Sequence, residues 1–271
     1  MSIIQVIIVA IIEGLTEFLP ISSTAHMIFT STIFFGTEKN EFVKMFQVSI
    51  QFGAILAVVF LYWKKFFDFK NIQFYFKLAA AVVPALVLGK LFDDKIEAVL
   101  EKPIPIAIVL IIGGIVLLFV DKIFTQAQIK NEKDITFKTA IIIGFWQCLA
   151  MMPGTSRSAA SIIGGMQQKL DRKTAAEFSF FLAVPTMLAV TMYSVFLKDW
   201  THNDIAIKGY ELLFSGNNLI YFLIGNIIAF IVAVLAIKLF IEIIAKYGFK
   251  PWGWYRIIAG ILLLLYFNFT K

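Results

Sequence analysis

Residues 13–26 read EGLTEFLPISSTAH, a polar and chemically loaded stretch set inside an otherwise apolar segment. A second stretch, PGTSRS at residues 153–158, breaks another apolar run with a proline, hydroxyl groups and one positive charge. In the hydrocarbon of a bilayer each such group is costly unless it faces protein or water. The two breaks therefore predict a functional site, and the apolar segments around them predict the fold.

The composition is that of a membrane protein. Of the 271 residues, 60% are hydrophobic and only 15% are charged, whereas a soluble domain carries about 25% charged residues. A net charge of +6 can indicate nucleic-acid binding, but the basic residues sit in short loops and form no arginine-rich run. Membrane topology explains them better, so we expect no nucleic-acid partner. Cys148 is the single cysteine and forms no internal disulfide.

Six apolar segments are long enough to be predicted as membrane spans. They lie at 46–62, 76–91, 104–120, 178–197, 219–240 and 257–269. Residues 3–12 are too short to cross alone, and the sequence after them is interrupted by Pro20 and by three hydroxyl residues. This pattern predicts a re-entrant hairpin of two half-helices, and the stretch around Pro153 predicts a second one.

The two halves of the chain resemble each other. QFGAILAV at 51–58 echoes EFSFFLAV at 177–184, IIGGIVLL at 111–118 echoes IIAGILLL at 257–264, and PISS at 20–23 aligns with PGTS at 153–156. A hairpin that does not cross plus three spans gives the second half the opposite orientation. The sequence thus predicts a single all-α integral membrane domain over 1–271. It would hold two inverted-topology repeats, at about 1–121 and 135–271.

The distribution of positive charge predicts the orientation. Four loops on one predicted side carry most of the basic residues, so the positive-inside rule makes that side cytoplasmic. Both termini and the mouth of the site would then be outside. The basic residues of these loops are Lys64, Lys65, Lys70, Lys77, Lys122, Lys130, Lys133, Lys138, Lys169, Arg172, Lys173, Lys238, Lys246, Lys250 and Arg256.

The charges left at membrane depth are Glu13, Glu17, Glu177 and Arg157, with His26 as a titratable imidazole. Glu13 and Glu17 are four residues apart and share a helix face, so they can hold a divalent cation together, or one can keep the other protonated. Arg157 can clamp phosphate oxygens with two parallel hydrogen bonds.

The hydroxyl residues Ser22, Ser23 and Thr24 follow Pro20, where the next half-helix would begin. Free N–H groups and the positive dipole end at a helix N-terminus suit a phosphate. His26 follows three residues after Ser23 and could act as its general base, or as the general acid for a leaving oxygen.

Purely structural interpretations of these residues stay open. The two glutamates could form a buried bridge with Arg157, and His26 could be a satisfied structural histidine. The hydroxyl residues could simply cap a helix. Glu177 aligns with Gln51 in the repeat comparison, which places both near the centre as supporting residues. The functional interpretation depends on the whole set.

The motifs EGLTEFLPISSTAH and PGTSRS, with the EFSF stretch at 177–180, resemble those of the undecaprenyl-diphosphate phosphatase family of bacterial membrane enzymes associated with bacitracin resistance. The resemblance covers essentially the whole chain. It implies hydrolysis of undecaprenyl diphosphate, a polyprenyl lipid, to undecaprenyl phosphate and inorganic phosphate. This reaction recycles the carrier lipid of peptidoglycan and other cell-wall polymers. It also implies a location in the bacterial cytoplasmic membrane, with the site open to the extracytoplasmic side.

Carried over residue by residue, the resemblance implies a functional role for Glu13, Glu17, Ser23, His26 and Arg157. We expect Ser23 as nucleophile and His26 as its base, although the two could exchange roles. Arg157 would bind the diphosphate, and Glu13 and Glu17 would hold a divalent cation (Mg²⁺ or Ca²⁺) or transfer protons. The phosphate-binding neighbours would be Ser22, Thr24, Thr155 and Ser156.

One alternative from another functional class stays open. Inverted repeats with broken helices also build secondary transporters, so the same groups could bind undecaprenyl phosphate and carry it across the membrane. An ion channel is disfavoured, because no repeated filter of coordinating groups is visible. The expected partners are therefore the polyprenyl lipid and the surrounding membrane lipid, with a homodimer as a further expectation.

Overall fold

A computed structural model describes residues 1–37, 40–100, 102–202 and 205–269. Within these residues six helices are long and apolar enough to cross a membrane, and they coincide with the six predicted segments. This confirms an all-α, multi-pass membrane protein. Most of the spans extend beyond the predicted bounds, as far as their polar ends. They are Glu41–Leu61, Ile72–Leu91, Pro103–Ile123, Arg172–Leu197, Asn218–Tyr247 and Lys250–Phe269.

The first span contains two helical segments, and the fourth ends in a π-helical turn, Tyr193–Leu197. Numbered along the chain, the α-helices are α1 (Ile3–Thr16), α2 (Ser23–Thr30), α3 (Glu41–Ser49), α4 (Gln51–Leu61), α5 (Trp63–Phe66), α6 (Ile72–Leu91), α7 (Asp93–Leu100), α8 (Pro103–Ile123), α9 (Phe137–Gln147), α10 (Arg157–Gln167), α11 (Arg172–Met192), α12 (Gly209–Leu213), α13 (Asn218–Tyr247) and α14 (Lys250–Phe269). Two short antiparallel strands, Asp199–His202 and Ile205–Lys208, were not predicted.

The chain breaks between α1 and α2 and between α9 and α10, around the two proline-containing stretches. Both second half-helices begin in the same way: Ser22 and Ser156 have φ angles of 71° and 74° and cap the helix with their side chains. Their hydroxyl oxygens accept hydrogen bonds from the amides of Ala25 and Ala159. A left-handed conformation costs a non-glycine residue about 1–3 kcal/mol, and such strain concentrates at functional sites.

Each short helix before a break packs on a long helix of the other half of the chain. Helix α1 lies along α13, and α9 lies along α6. In the same exchanged manner α4 contacts α13 and α11 contacts α6, while α8 and α14 pack on each other. The halves are therefore interleaved, and the main hydrophobic core lies where α4, α6, α10, α11 and α13 meet.

The Lys-rich loops come together at one end of the molecule, as the charge pattern predicts for a single side. The contacts that join them include the ion pair of Lys65 with Glu132 and the backbone bond from Gln128 N to Lys169 O (2.8 Å). Asp121 also accepts hydrogen bonds from Arg172 Nε (2.6 Å) and Phe249 N (2.8 Å). Arg256 is a correction, because it lies inside α14 with no exposed surface rather than in a loop. Residues 270 and 271, at the end of the second predicted repeat, lie outside the described residues.

The contact between α6 and α9 depends on Gly144. A Cβ atom at this position would overlap the carbonyl oxygen of Ala81 on α6. We therefore expect Gly144→Ala to lower the free energy of unfolding by about 1–3 kcal/mol, the usual cost of overpacking. Thermal unfolding in detergent measures the effect. Gly89→Ala on α6 is the control, because its nearest non-bonded atom would be 3.8 Å away. Equal unfolding temperatures for both variants would contradict the prediction.

Candidate active site

The two breaks border one cavity of about 580 Å³. Its walls come from α6, the second half of α11 with the following π-helical turn, and both breaks. Most of its lining is apolar, and charged or polar groups are gathered at the breaks. Lys90 and Lys198 lie at the end away from the Lys-rich loops. The polar residues at the breaks are Glu17, Ser22, Ser23, Thr24, Ser156 and Arg157.

Glu17 is the centre of the polar network. One carboxylate oxygen accepts a hydrogen bond from Arg157 Nη2 at 2.7 Å, and the other accepts from the Ser23 hydroxyl at 2.6 Å. All three side chains are buried, with exposed fractions below 10%, yet all three line the cavity. In so little water the ion pair is only weakly screened. Residues from both halves of the chain thus meet at a single carboxylate.

Contacts with α11 and with Phe18 fix the Arg157 side chain. Its Nη1 donates to the carbonyl oxygen of Ser179 at 2.9 Å, and the ring of Phe18 lies 5.9 Å from the guanidinium carbon. Ser161 donates to the carbonyl of Arg157 at 2.8 Å and lies 2.6 Å from the Ser179 hydroxyl. These contacts fix the guanidinium before any ligand binds. Its Nε has no hydrogen-bond partner among the described residues.

Glu13 lies one helical turn before Glu17, as the spacing predicts, and has no exposed surface. Apart from the neighbouring Glu17 carboxyl, no group within the described residues is in hydrogen-bonding contact with its carboxylate oxygens. A buried charge without partners is very costly. Glu13 therefore carries a proton, or its carboxylate oxygens bind a group that the polypeptide does not supply.

His26 does not face Ser23, contrary to the expected base and nucleophile pair. Its Nδ1 lies 2.8 Å from the Ser22 carbonyl, which can only accept, so Nδ1 carries a proton. Its Nε2 lies 2.7 Å from the Tyr255 hydroxyl of α14, and the two rings stack. One ring nitrogen is therefore engaged by the Ser22 carbonyl and the other by Tyr255, and the Ser23 hydroxyl donates to Glu17 instead.

Of the remaining predicted residues, some line the cavity and two do not. Ser22, Thr24, Ser156 and Gln51 line the cavity with Ser23. Thr155 lies in the second break and contributes its carbonyl to Arg256 at 2.8 Å. Glu177 lies elsewhere: its carboxylate is 3.7 Å from Lys65, among the Lys-rich loops. The alignment with Gln51 predicted a position near the centre. However, α11 begins at the Lys-rich end of the molecule, and Glu177 lies in its second turn, away from the cavity.

Two residues at the site were not predicted. Gln147 lines the cavity and donates to the Thr186 hydroxyl at 3.2 Å. The spacing of Gly144 and Gln147 repeats that of Gly14 and Glu17, a signal that was present in the sequence. Arg256 contacts both breaks. Because Arg256 follows Lys250 and directly precedes the predicted span 257–269, it was assigned to the basic residues of a loop.

Comparison with known proteins identifies the family of this chain. A protein family described as "Bacitracin resistance protein BacA" matches residues 6–262, nearly the whole chain. The chain belongs to the BacA family. Its breaks and spans are therefore those of a BacA family member, and the residues of the network all fall inside the matched range.

Curated relatives of this BacA family member span its full length. A protein of Flavobacterium psychrophilum is 54% identical over 265 residues, which cover 98% of this chain and 96% of that protein. A protein of Porphyromonas gingivalis is 47% identical with the same coverage. A protein of Bdellovibrio bacteriovorus is 44% identical over 268 residues, again with 98% and 96% covered. All three are named undecaprenyl-diphosphatase.

Proposed function

We propose that this protein hydrolyses undecaprenyl diphosphate to undecaprenyl phosphate and inorganic phosphate. The reaction returns the carrier lipid to the synthesis of peptidoglycan and other cell-wall polymers, and it confers resistance to bacitracin. Full-length relatives with that enzyme name support the substrate, and the family description supports the resistance. The observation that carries the proposal is Ser23, bonded to a buried carboxylate beside a fixed arginine at the wall of a cavity.

In this mechanism Ser23 attacks the terminal phosphorus of the diphosphate. Its proton passes to Glu17, which already accepts the hydroxyl at 2.6 Å. The bond from phosphorus to the bridging oxygen breaks, and undecaprenyl phosphate leaves with the proton that Glu17 took up. Water then attacks the phosphoserine and gives a proton to the Ser23 oxygen, which releases inorganic phosphate and restores Ser23 and the Glu17 carboxylate. Arg157, which lines the cavity, stabilises the charge that develops on the phosphoryl oxygens. The base is thus Glu17 in place of His26.

The apolar lining supports a lipid substrate. Leu86 of α6 and Val190 of α11 line the cavity and are 47% and 36% exposed. An apolar surface of that kind between two spans faces hydrocarbon in a bilayer. The polyprenyl tail would leave the cavity there while the diphosphate stays at the two breaks. The expectation of a homodimer stays a prediction.

Our proposal includes the two inverted repeats, 1–121 and 135–271, each with a re-entrant hairpin. The exchanged packing of α1 on α13 and of α9 on α6 supports it. We also propose that the protein lies in the bacterial cytoplasmic membrane with the Lys-rich loops inside. The site and both termini would then face outward, which the position of Lys90 and Lys198 at the cavity supports. Labelling of single cysteines with an impermeant reagent, after Cys148→Ser, tests this orientation.

A divalent cation is a separate part of the proposal. Glu13 and Glu17 would hold it together with the substrate phosphates, the usual arrangement for Mg²⁺, and it would neutralise phosphate charge. The buried oxygens of Glu13 that lack partners support this use. The described residues contain no group of three or more His, Cys, Asp or Glu, so substrate oxygens and water would complete the coordination.

We expect a chelator to abolish turnover and Mg²⁺ or Ca²⁺ to restore it. Glu13→Gln should raise the cation concentration for half-maximal turnover by about 10-fold or more, since an amide is a weaker ligand than a carboxylate. Cation titrations of phosphate release by both proteins measure the shift. Full turnover in excess chelator would contradict this part of the proposal and leave Glu13 as a protonated structural group.

Phosphate release from undecaprenyl diphosphate by the purified protein in detergent tests the proposed function. We expect turnover that depends on enzyme concentration and that is lost in Ser23→Ala. Absence of turnover in the parent protein would reject the phosphatase. Transport of undecaprenyl phosphate across vesicles without hydrolysis would then favour the carrier.

A further inference from the structure

Arg256 is the charged residue whose position the sequence did not reveal, and it has no exposed surface. All five of its N–H donors reach backbone carbonyl oxygens. Those oxygens come from three separate segments of the chain. They belong to Leu110 (3.2 Å) and Val109 (3.4 Å) of α8, Pro20 (3.2 Å) of the first break, and Gly154 (2.6 Å) and Thr155 (2.8 Å) of the second.

One guanidinium therefore connects both breaks. Pro20 lies two residues before Ser22, and Thr155 lies immediately before Ser156, so Arg256 holds the peptides that lead into both strained caps. Because a trans peptide points its N–H away from its carbonyl, the Thr155 carbonyl on Arg256 turns the Ser156 amide to the opposite side. The residues that follow the two caps are Ser23 and Arg157.

We propose that Arg256 is a positioning residue of the active site. By fixing the carbonyls of both breaks to α8, it sets the distance between the half-helix that carries Ser23 and the half-helix that carries Arg157. This inference rests on the proposed function. It assigns no contact with substrate to Arg256, whose donors are all occupied by backbone within the described residues.

The alternative is that Arg256 only joins α14 to α8. Two substitutions separate these roles. Arg256→Lys keeps the charge but offers three donors in place of five, so it cannot hold all the carbonyls. Gly113→Ala keeps Arg256, but its Cβ would overlap the guanidinium and displace it. Gly260→Ala is the matched control. It crowds the same pair of helices, with a Cβ 2.6 Å from Ile111 Cγ1 and 2.9 Å from the Ala107 carbonyl oxygen, and none of the three atoms nearest to that Cβ belongs to Arg256.

We expect Arg256→Lys to lower kcat by about 100-fold, the effect of misplacing reacting groups by about 1 Å, while KM stays nearly unchanged. Gly113→Ala should also lower kcat, by a smaller factor. Amide hydrogen exchange should rise at residues 18–25 and 152–160 together in both variants. Gly260→Ala should change the unfolding temperature without changing kcat or exchange at the breaks.

The proposal is overturned if Arg256→Lys has the same kcat and the same amide hydrogen exchange as the parent protein. It is also overturned if Gly260→Ala reproduces the kcat and exchange changes, since the role would then be packing alone. If Arg256→Lys does not fold, Gly113→Ala decides by the same criteria. A parent protein without phosphatase activity would reject the proposed function instead, and the exchange measurement would still show whether Arg256 holds both breaks.

Discussion

Ser23→Ala is expected to reduce kcat for phosphate release by about 1,000-fold or more, since it removes the attacking oxygen of the proposed mechanism. The fold should survive, because the Ser23 hydroxyl donates a single hydrogen bond and the ion pair of Glu17 with Arg157 remains. Initial rates over a range of substrate concentrations measure the loss. Ser49→Ala is the matched control, a buried serine whose hydroxyl contacts Met45. It should keep parent turnover.

Trapping the intermediate distinguishes the two candidate nucleophiles. Quenching the parent protein during turnover of substrate labelled in its terminal phosphate should leave label on Ser23 that is stable to acid, as a phosphoserine is. Label that acid removes would indicate phosphohistidine and would move the attack to His26. That outcome requires His26 to leave Tyr255, to which its Nε2 is bonded at 2.7 Å.

Breaking the ion pair of Glu17 and Arg157 is expected to have the second large effect. Both side chains are buried, with exposed fractions of 4% and 7%. Arg157→Met should lower the free energy of unfolding by about 3–5 kcal/mol, because it leaves the Glu17 carboxylate buried and unpaired. Turnover should fall by about 100-fold or more, because the donor to the phosphoryl oxygens is lost.

The double variant Glu17→Gln with Arg157→Met separates stability from catalysis. With both charges removed, much of the lost stability should return, as it does when buried pairs are replaced together. Turnover should stay as low as in the single variants, since neither base nor clamp is present. Thermal unfolding in detergent and kcat are measured on the four proteins. Parent stability in both single variants would show that the pair is unimportant for the fold.

Much of the fold could be predicted from hydropathy, because a bilayer forces apolar segments into helices of nearly fixed length. The six spans were found this way. Helix ends were less predictable: the prediction for 219–240 stopped within the apolar run, whereas α13 continues to Tyr247. The strand pair after Lys198 carried no recognisable signal.

At the candidate site, the sequence identified the residue types but could not assign their partners. The paired glutamates, the hydroxyl run and Arg157 were all visible as polar groups that hydrocarbon would reject. The predicted contact of Ser23 with His26 was wrong. The spacing along α2 suggested it, whereas the turn at Pro20 brings the Glu17 carboxylate to the Ser23 hydroxyl. The repeat alignment predicted that Glu177 lies at the centre of the membrane. An alignment of apolar segments does not determine how deep in the membrane a helical residue lies.

By itself the sequence determined that this is a membrane protein of six apolar spans with two polar breaks, since the cost of burying polar groups in lipid acts on each segment separately. The tertiary structure alone decided which polar groups meet. Glu17 and Arg157 are 140 residues apart, and Arg256 reaches the carbonyl of Pro20 across 236 residues. Such pairings arise from the interleaving of the two halves, which no local pattern encodes. They bring the two breaks together at a single cavity lined by Ser23, Glu17 and Arg157.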